Sequence, residues 1–96
     1  MAQQPYKLRL PNRMVELIRH MHPHLKRKIR AALDTIATEP HSGKALTLKL
    51  SGLRSFRVGR FRIVYKVMGE NEIQIITIGP RTYIYEETLR FISREE

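Results

Sequence analysis

The side chains of this sequence best suited to act on something are arginines and tyrosines. In the run Arg54-Ser55-Phe56-Arg57-Val58-Gly59-Arg60-Phe61-Arg62-Ile63-Val64-Tyr65, apolar and basic residues alternate on both sides of Gly59. A period of two marks half-buried strands. Take Gly59-Arg60 as a two-residue turn with glycine first, as type II′ requires. Val58 then faces Phe61, Arg57 faces Arg62 and Phe56 faces Ile63. One face carries Phe56, Val58, Phe61 and Ile63 and looks into a core. The other sets Arg57 directly against Arg62. Like charges opposed across a hairpin are destabilising. A chain that keeps them there points to an anionic partner; the plainer alternative is two arginines splayed into solvent.

Arginine presents a planar fork that pairs bidentately with phosphate. Phosphoryl transfer in RNA can proceed without metal when such cations hold the nonbridging oxygens and stabilise the developing charge. Arg81 follows the apolar run Ile73–Ile78 at once, where it can overhang the same face. Tyr83 and Tyr85 lie close by and suit base stacking or proton transfer. Charge stabilisation is the safer role for arginine, whose proton is held too tightly for an ordinary general acid.

Other chemistries find little support. There is no cysteine, so no disulfide framework and no thiolate. No glycine-rich phosphate loop and no glycine-flanked nucleophilic serine occurs. His20, His22 and His24 stand at i, i+2 and i+4, but helical zinc sites prefer i, i+3 or i+4, and Pro23 interrupts the segment. Glu70-Asn71-Glu72 falls in a turn, a poor place for a carboxylate pair. Neither a metal nor an organic cofactor is expected.

The chain has 96 residues, enough for one small domain spanning 1–96. Eighteen Lys and Arg against nine Asp and Glu give a net charge of +9, which favours a polyanionic or acidic partner. No apolar run approaches the roughly 18 residues of a membrane helix. The first residues lack the apolar centre of a secretory signal. With the missing cysteine, this fits a cytoplasmic protein that does not act on membranes. With no Trp, three Phe and four Tyr, base stacking is not the main mode of nucleic-acid binding.

The elements that must position these residues follow in order. Tyr6–Leu10 alternates as a first strand. Pro11 suits the start of a helix, with Met14, Leu17, Ile18 and Met21 on one stripe. A second helix runs from about Pro23 to Thr38, with Leu25, Ile29, Ala32, Leu33 and Ile36 inward. Its outer face is basic, with Lys26, Arg27, Lys28 and Arg30, and reads by default as solvated. A loop covers Glu39–Lys44, and Ala45–Leu50 is a short strand or extended arm. After the arginine hairpin, Gly69–Asn71 turns the chain into a central strand over Ile73–Ile78, apolar on both faces. Thr82–Arg94 reads as a short helix with Tyr85, Leu89 and Ile92 inward. The expected fold is α+β: a mostly antiparallel sheet of about four strands, an N-terminal helical pair on one face, and a basic concave face opposite.

The run from Leu53 to Tyr65, followed by Ile76-Thr77-Ile78-Gly79-Pro80-Arg81 and then Tyr85, resembles the RelE/ParE toxin superfamily, nearer its RelE branch. The resemblance covers nearly the whole chain. It implies a microbial-RNase-like fold and a toxin that cleaves mRNA in the ribosomal A site, neutralised by a cognate antitoxin. The implied reaction is attack of a ribose 2′-hydroxyl on the adjacent phosphate, giving a 2′,3′-cyclic phosphate. By this match Arg62 stabilises the transition state, Arg57 is the basic residue earlier in the hairpin, Arg81 partners the leaving group and Tyr85 is the C-terminal tyrosine, with Tyr83 as substitute. Arg54, Arg60, Lys44, Lys49 and Tyr83 would bind RNA. The best-known member has two lysines ahead of the turn, at positions held here by Leu53 and Ser55. Lys44, Lys49, Arg54 or His41 would stand in. Members using a His and Glu pair for proton transfer are not matched. The alternatives are a ParE-like inhibitor of DNA gyrase and a member that binds only its antitoxin.

Overall fold

The computed structural model describes residues 5–82 and 84–95. Five strands form one sheet in the order β1-β5-β4-β3-β2, with β1 Lys7–Arg9, β2 Lys44–Ala45, β3 Arg54–Val58, β4 Phe61–Met68 and β5 Glu72–Pro80. Only β1 runs parallel to its neighbour, β5; the other three pairings are antiparallel. Three α-helices accompany it: α1 Asn12–Arg19, α2 Pro23–Thr38 and α3 Ile84–Glu95. The α+β class and the mostly antiparallel sheet agree with the sequence reading. The sheet has five strands rather than about four, because the Lys44–Leu50 segment gives a two-residue edge strand and then a 3-10 turn over Leu48–Leu50.

The hairpin has the expected register, with Val58 against Phe61, Arg57 against Arg62 and Phe56 against Ile63. Gly59 has φ +59°, and Leu48 alone among the described non-glycine residues has positive φ. A glycine-first turn whose second residue stays at negative φ is the type II′ pattern, and its twist matches the strands it joins.

The helical pair covers one face of the sheet. Met14 and Ile18 of α1, with Ile29, Ala32, Leu33 and Ile36 of α2, pack on Val58, Ile63, Tyr65, Ile73, Ile75 and Ile78. Pro23 opens α2 at its first position, where the missing N–H costs nothing. The other face is not left as one open basic surface. Leu53, Val64 and Ile84 form a second buried cluster there, flanked by Leu46, Leu50, Ile76, Tyr85 and Ile92. α3 therefore lies on the face opposite the helical pair. Its deepest residues are Ile84 and Thr88, both fully buried, rather than the stripe through Tyr85, Leu89 and Ile92. The threonine hides its polarity by donating to the Ile84 carbonyl at 2.8 Å, so an apolar count overlooks it.

A bulge lets β5 serve both layers. Val64 pairs with Thr77, but Tyr65 pairs with Ile75, so Ile76 is extra. The insertion reverses the alternation along the strand. Ile73, Ile75 and Ile78 all reach the first core despite their mixed parity, while Thr77 and Gly79 turn to the second face.

Tyr65 locks the loop before β2. Its ring is fully buried. Its hydroxyl donates to the Pro40 carbonyl at 2.7 Å and accepts from the Gly43 N–H at 3.0 Å. Burial pushes the Tyr65 hydroxyl above its ordinary value of 10.0, opposed in part by the Gly43 N–H and the Arg54 charge. A Cβ on Gly43 would overlap that hydroxyl. Tyr65→Phe leaves two buried backbone groups without partners and is expected to cost about 1–3 kcal/mol in denaturant unfolding. Because the folded state holds the proton more tightly, the contribution is complete below pH ~10 and is lost as pH rises through the raised value. Wild type should lose stability there and Tyr65→Phe should not; parallel pH curves would remove the latch from the account.

Candidate active site

Cross-strand neighbours share a face, so the sheet can be read in rows. One row is Gly79 on β5, Arg62 on β4 and Arg57 on β3. The next is Thr77, Val64, Ser55 and, on β2, Lys44. Both rows lie on the α3 side. α3 covers the second row with Ile84 and leaves the hairpin end of the first in the open.

Ser55 organises this junction. It is 2% exposed. Its Oγ accepts from Arg62 Nη1 at 3.1 Å and from the Tyr85 hydroxyl at 3.4 Å. One small side chain thus aims a mid-strand arginine and a tyrosine from the first turn of α3 at the same point. Leucine or lysine here would fill the space where the two meet. Arg57 is exposed and donates from Nε to the Gly59 carbonyl at 3.3 Å, which holds its stem along the turn. Arg60 and Arg81 are both exposed, and the Arg81 N–H donates to the Arg60 carbonyl at 2.9 Å. The hairpin turn and the end of β5 are therefore tied together, and four arginines share one rim. Among the described residues none of the four is in an ion pair. A cluster of unpaired guanidiniums at a sheet end is an anion-binding surface.

The structure brings together Arg57, Arg60, Arg62, Arg81 and Tyr85. Lys44 joins them at the edge, opposite Ser55, where it borders with Tyr85 a cleft of about 280 Å³. Arg54 is elsewhere. It is half-buried on the face of the helical pair, and its Nη1 donates to the carbonyls of His41 at 3.2 Å and Gly43 at 2.6 Å. It acts with Tyr65 to hold the loop that delivers Lys44. Lys49 lies in the 3-10 turn beside Leu48 and Leu50, at an apolar recess that Leu89 also lines. Tyr83 lies outside the described residues. The sequence reading named Ser55 only as the place of a missing lysine and overlooked its role. Its parity with Arg57, two residues on, was the available signal.

The fold that carries these residues has known counterparts. A family model described as the ParE toxin of type II toxin–antitoxin system, parDE, matches residues 12–85, from α1 through the first turn of α3. The chain belongs to this toxin family, in the RelE/ParE superfamily. No curated protein matches the sequence significantly. Among solved structures, the toxin–antitoxin complex RelBE2 from Mycobacterium tuberculosis is similar at 23% identity and TM-score 0.70, over 82% of this chain and 94% of that one. The free E. coli toxin RelE, as a double arginine-to-alanine variant, aligns over 95% of this chain and 97% of its own, at 15% identity and TM-score 0.72. The archaeal RelE–RelB complex from Pyrococcus horikoshii aligns over 80% and 96%, at 21% identity and TM-score 0.65. At these identities the likeness is one of fold.

Ser55→Ala is expected to lower stability by about 1–2 kcal/mol, the net worth of two hydrogen bonds. A double-mutant cycle with Tyr85→Phe should return a coupling of at least ~0.5 kcal/mol. Strict additivity would mean that Tyr85 does not depend on Ser55.

Proposed function

We propose that this toxin is a ribosome-dependent mRNA endonuclease, held inactive by a cognate antitoxin. The observation that carries the reading is the Arg62–Ser55–Tyr85 junction beside Arg57 and Arg81. Those groups match the needs of RNA transesterification. Arg62, held from behind by Ser55, presents its remaining donors to the nonbridging oxygens as charge builds on phosphorus. Arg57 faces it directly and secures the same phosphate or its neighbour. Arg81 stands at the rim to offset charge on the departing 5′-oxygen, and Tyr85 supplies that oxygen with a proton. Arg60 and Lys44 extend the track along which the strand lies, with Arg54 holding the Lys44 loop and Lys49 at the far margin. Products are a 2′,3′-cyclic phosphate and a 5′-hydroxyl.

Two further points support the toxin context. Similar folds have been solved as toxin–antitoxin complexes from a bacterium and an archaeon. A net charge of +9 suits an acidic antitoxin segment and the ribosomal RNA around the A site. The proposed site of action is the cytoplasm, where ribosomes translate mRNA. Among the described residues no helix is long and apolar enough to cross a membrane.

A second reading has its own observation, since the matching family model is that of the ParE toxin. ParE-like inhibition of DNA gyrase would need the surface but not the Arg62–Tyr85 chemistry. Arg62→Ala separates the two. Removing one preorganised donor to developing charge costs about 100- to 1000-fold in rate, roughly 2.7–4 kcal/mol. The variant should fold and bind antitoxin but no longer cut mRNA on programmed ribosomes or arrest growth. Arg62→Lys should rescue poorly, because a point charge lacks the bidentate fork. Growth arrest that survives Arg62→Ala, with gyrase inhibited and mRNA 5′ ends unchanged, would favour the ParE-like reading.

The sequence-based expectation that no metal takes part is tested separately. Cleavage should persist in EDTA when ribosome integrity is maintained by polyamines. Activity that returns only with one particular divalent ion would overturn that expectation.

A further inference from the structure

The junction supplies charge stabilisation and a proton donor but leaves the attacking 2′-hydroxyl without a proton acceptor. The positions where the superfamily resemblance places lysines are Leu53 and Ser55, and Lys44, on the edge strand two strands from Arg62, lies on the Tyr85 side of the junction, away from β5. Resting on the nuclease reading above, we infer that Glu87 is the catalytic base: its carboxylate takes the proton of the ribose 2′-hydroxyl.

Glu87 is brought to the site by the β5 bulge. Without the extra residue, Gly79 would share the parity of Ile73 and Ile75 and face the first core. With it, Gly79 stands beside Arg62 on the α3 side. A Cβ on Gly79 would lie 3.0 Å from Ile84 Cδ1 and 3.5 Å from Glu87 Oε2. The carboxylate therefore rests over bare backbone, at the strand position paired with Arg62. A side chain there would press on Ile84 Cδ1 and stand in contact with the carboxylate. At 3.6 residues per turn, Tyr85 and Glu87 flank the downward line through Ile84 and Thr88, one on each side. Tyr85 descends to Ser55 on β3, and Glu87 descends to Gly79 on β5. Arg62 on β4 lies between them.

The spacing suits in-line displacement. Adjacent strands are about 4.8 Å apart, so Ser55 beneath the acid and Gly79 beneath the base lie two strand spacings, roughly 10 Å, from each other. A phosphate with its attacking and leaving oxygens on opposite sides needs about that distance. The attacking oxygen approaches phosphorus from ~3 Å, and a hydrogen bond of ~2.7 Å is added at each end. Among the described residues Glu87 has no ion pair, so its carboxylate is not consumed as a counter-charge to Arg62 or Arg81. It is half-buried, which keeps one edge open to an incoming ribose.

In the step, the 2′-hydroxyl proton passes to Glu87 Oε2 as the O2′–P bond forms. The P–O5′ bond breaks, and the leaving oxygen takes the Tyr85 phenol proton. The Ser55 hydroxyl donates to the phenolate left behind. Glu87 then gives its proton to solvent and Tyr85 recovers one from solvent, so the enzyme returns unchanged and no co-reactant is needed.

The test is single-turnover cleavage of mRNA on programmed ribosomes, across pH, with wild type, Glu87→Gln, Glu87→Asp and Arg62→Ala. General base catalysis contributes typically 100- to 10,000-fold. Glu87→Gln should lose at least 100-fold in rate at saturating toxin and should lose the rise of rate with pH on the acid side. Its thermal midpoint and antitoxin affinity should match wild type. Glu87→Asp, shorter by one methylene, should keep the acid limb at a lower rate. If Glu87→Gln is slow but retains the acid limb, the residue only positions α3 and the inference is wrong. It is wrong also if Glu87→Gln cuts within about threefold of wild type while Arg62→Ala is dead; the nuclease reading then survives without Glu87. Wild type that cuts no RNA defeats both.

Discussion

Two apolar layers meet at one pair of strands, and the β4–β5 pairing must present a clean face to each. Strict alternation could not do this with the sequence Glu72–Pro80, whose isoleucines fall at both odd and even positions. One inserted residue opposite Val64 resolves the conflict. Below it, Ile73 and Ile75 meet the helical pair; above it, Ile78 does. Thr77 and Gly79 are released to the other side, where α3 packs. Everything that concerns function hangs from that shift, since Gly79 gives α3 room to approach and Arg62 stands directly beside it.

The same division of labour explains why the arginines are tolerated. Arg57 and Arg62 repel across the hairpin, yet the hairpin is held by Val58, Phe61 and Ile63 in the first core and by a glycine turn of the right twist. Ser55 absorbs part of the strain by taking one donor of Arg62. The remaining donors face outward at the rim, with Arg60 and Arg81 alongside. Stability is therefore supplied by the faces and the latch at Tyr65, while the charge is concentrated where packing does not need it. Rim charges can therefore be removed by mutation without removing what holds the fold.

Arg54 and Arg57 show how little composition says about role. They are three residues apart in one strand and chemically identical. Parity sends Arg57 to the rim and Arg54 to the opposite face, where it binds the carbonyls of His41 and Gly43. Counting basic residues would enlist both for an anionic ligand. The pairing register shows that one meets solvent and the other ties down a loop.

The local pattern of the sequence was sufficient for the hairpin, its register, its glycine-first turn and the opposed arginines, because alternation and turn chemistry act over neighbouring residues. It was sufficient also for α1 and α2, whose apolar stripes are long and regular, and for the toxin family. It could not show on which face α3 would pack. That helix is short, and its deepest residues are an isoleucine and a threonine that hides its own hydroxyl. Nor could it show the bulge, which has no glycine or proline to mark it and exists because two layers compete for one strand. Ser55 beneath Arg62 and Tyr85, and Glu87 above Gly79, are consequences of that packing. Their partners lie between 7 and 30 residues away in sequence, and only the folded chain sets them side by side.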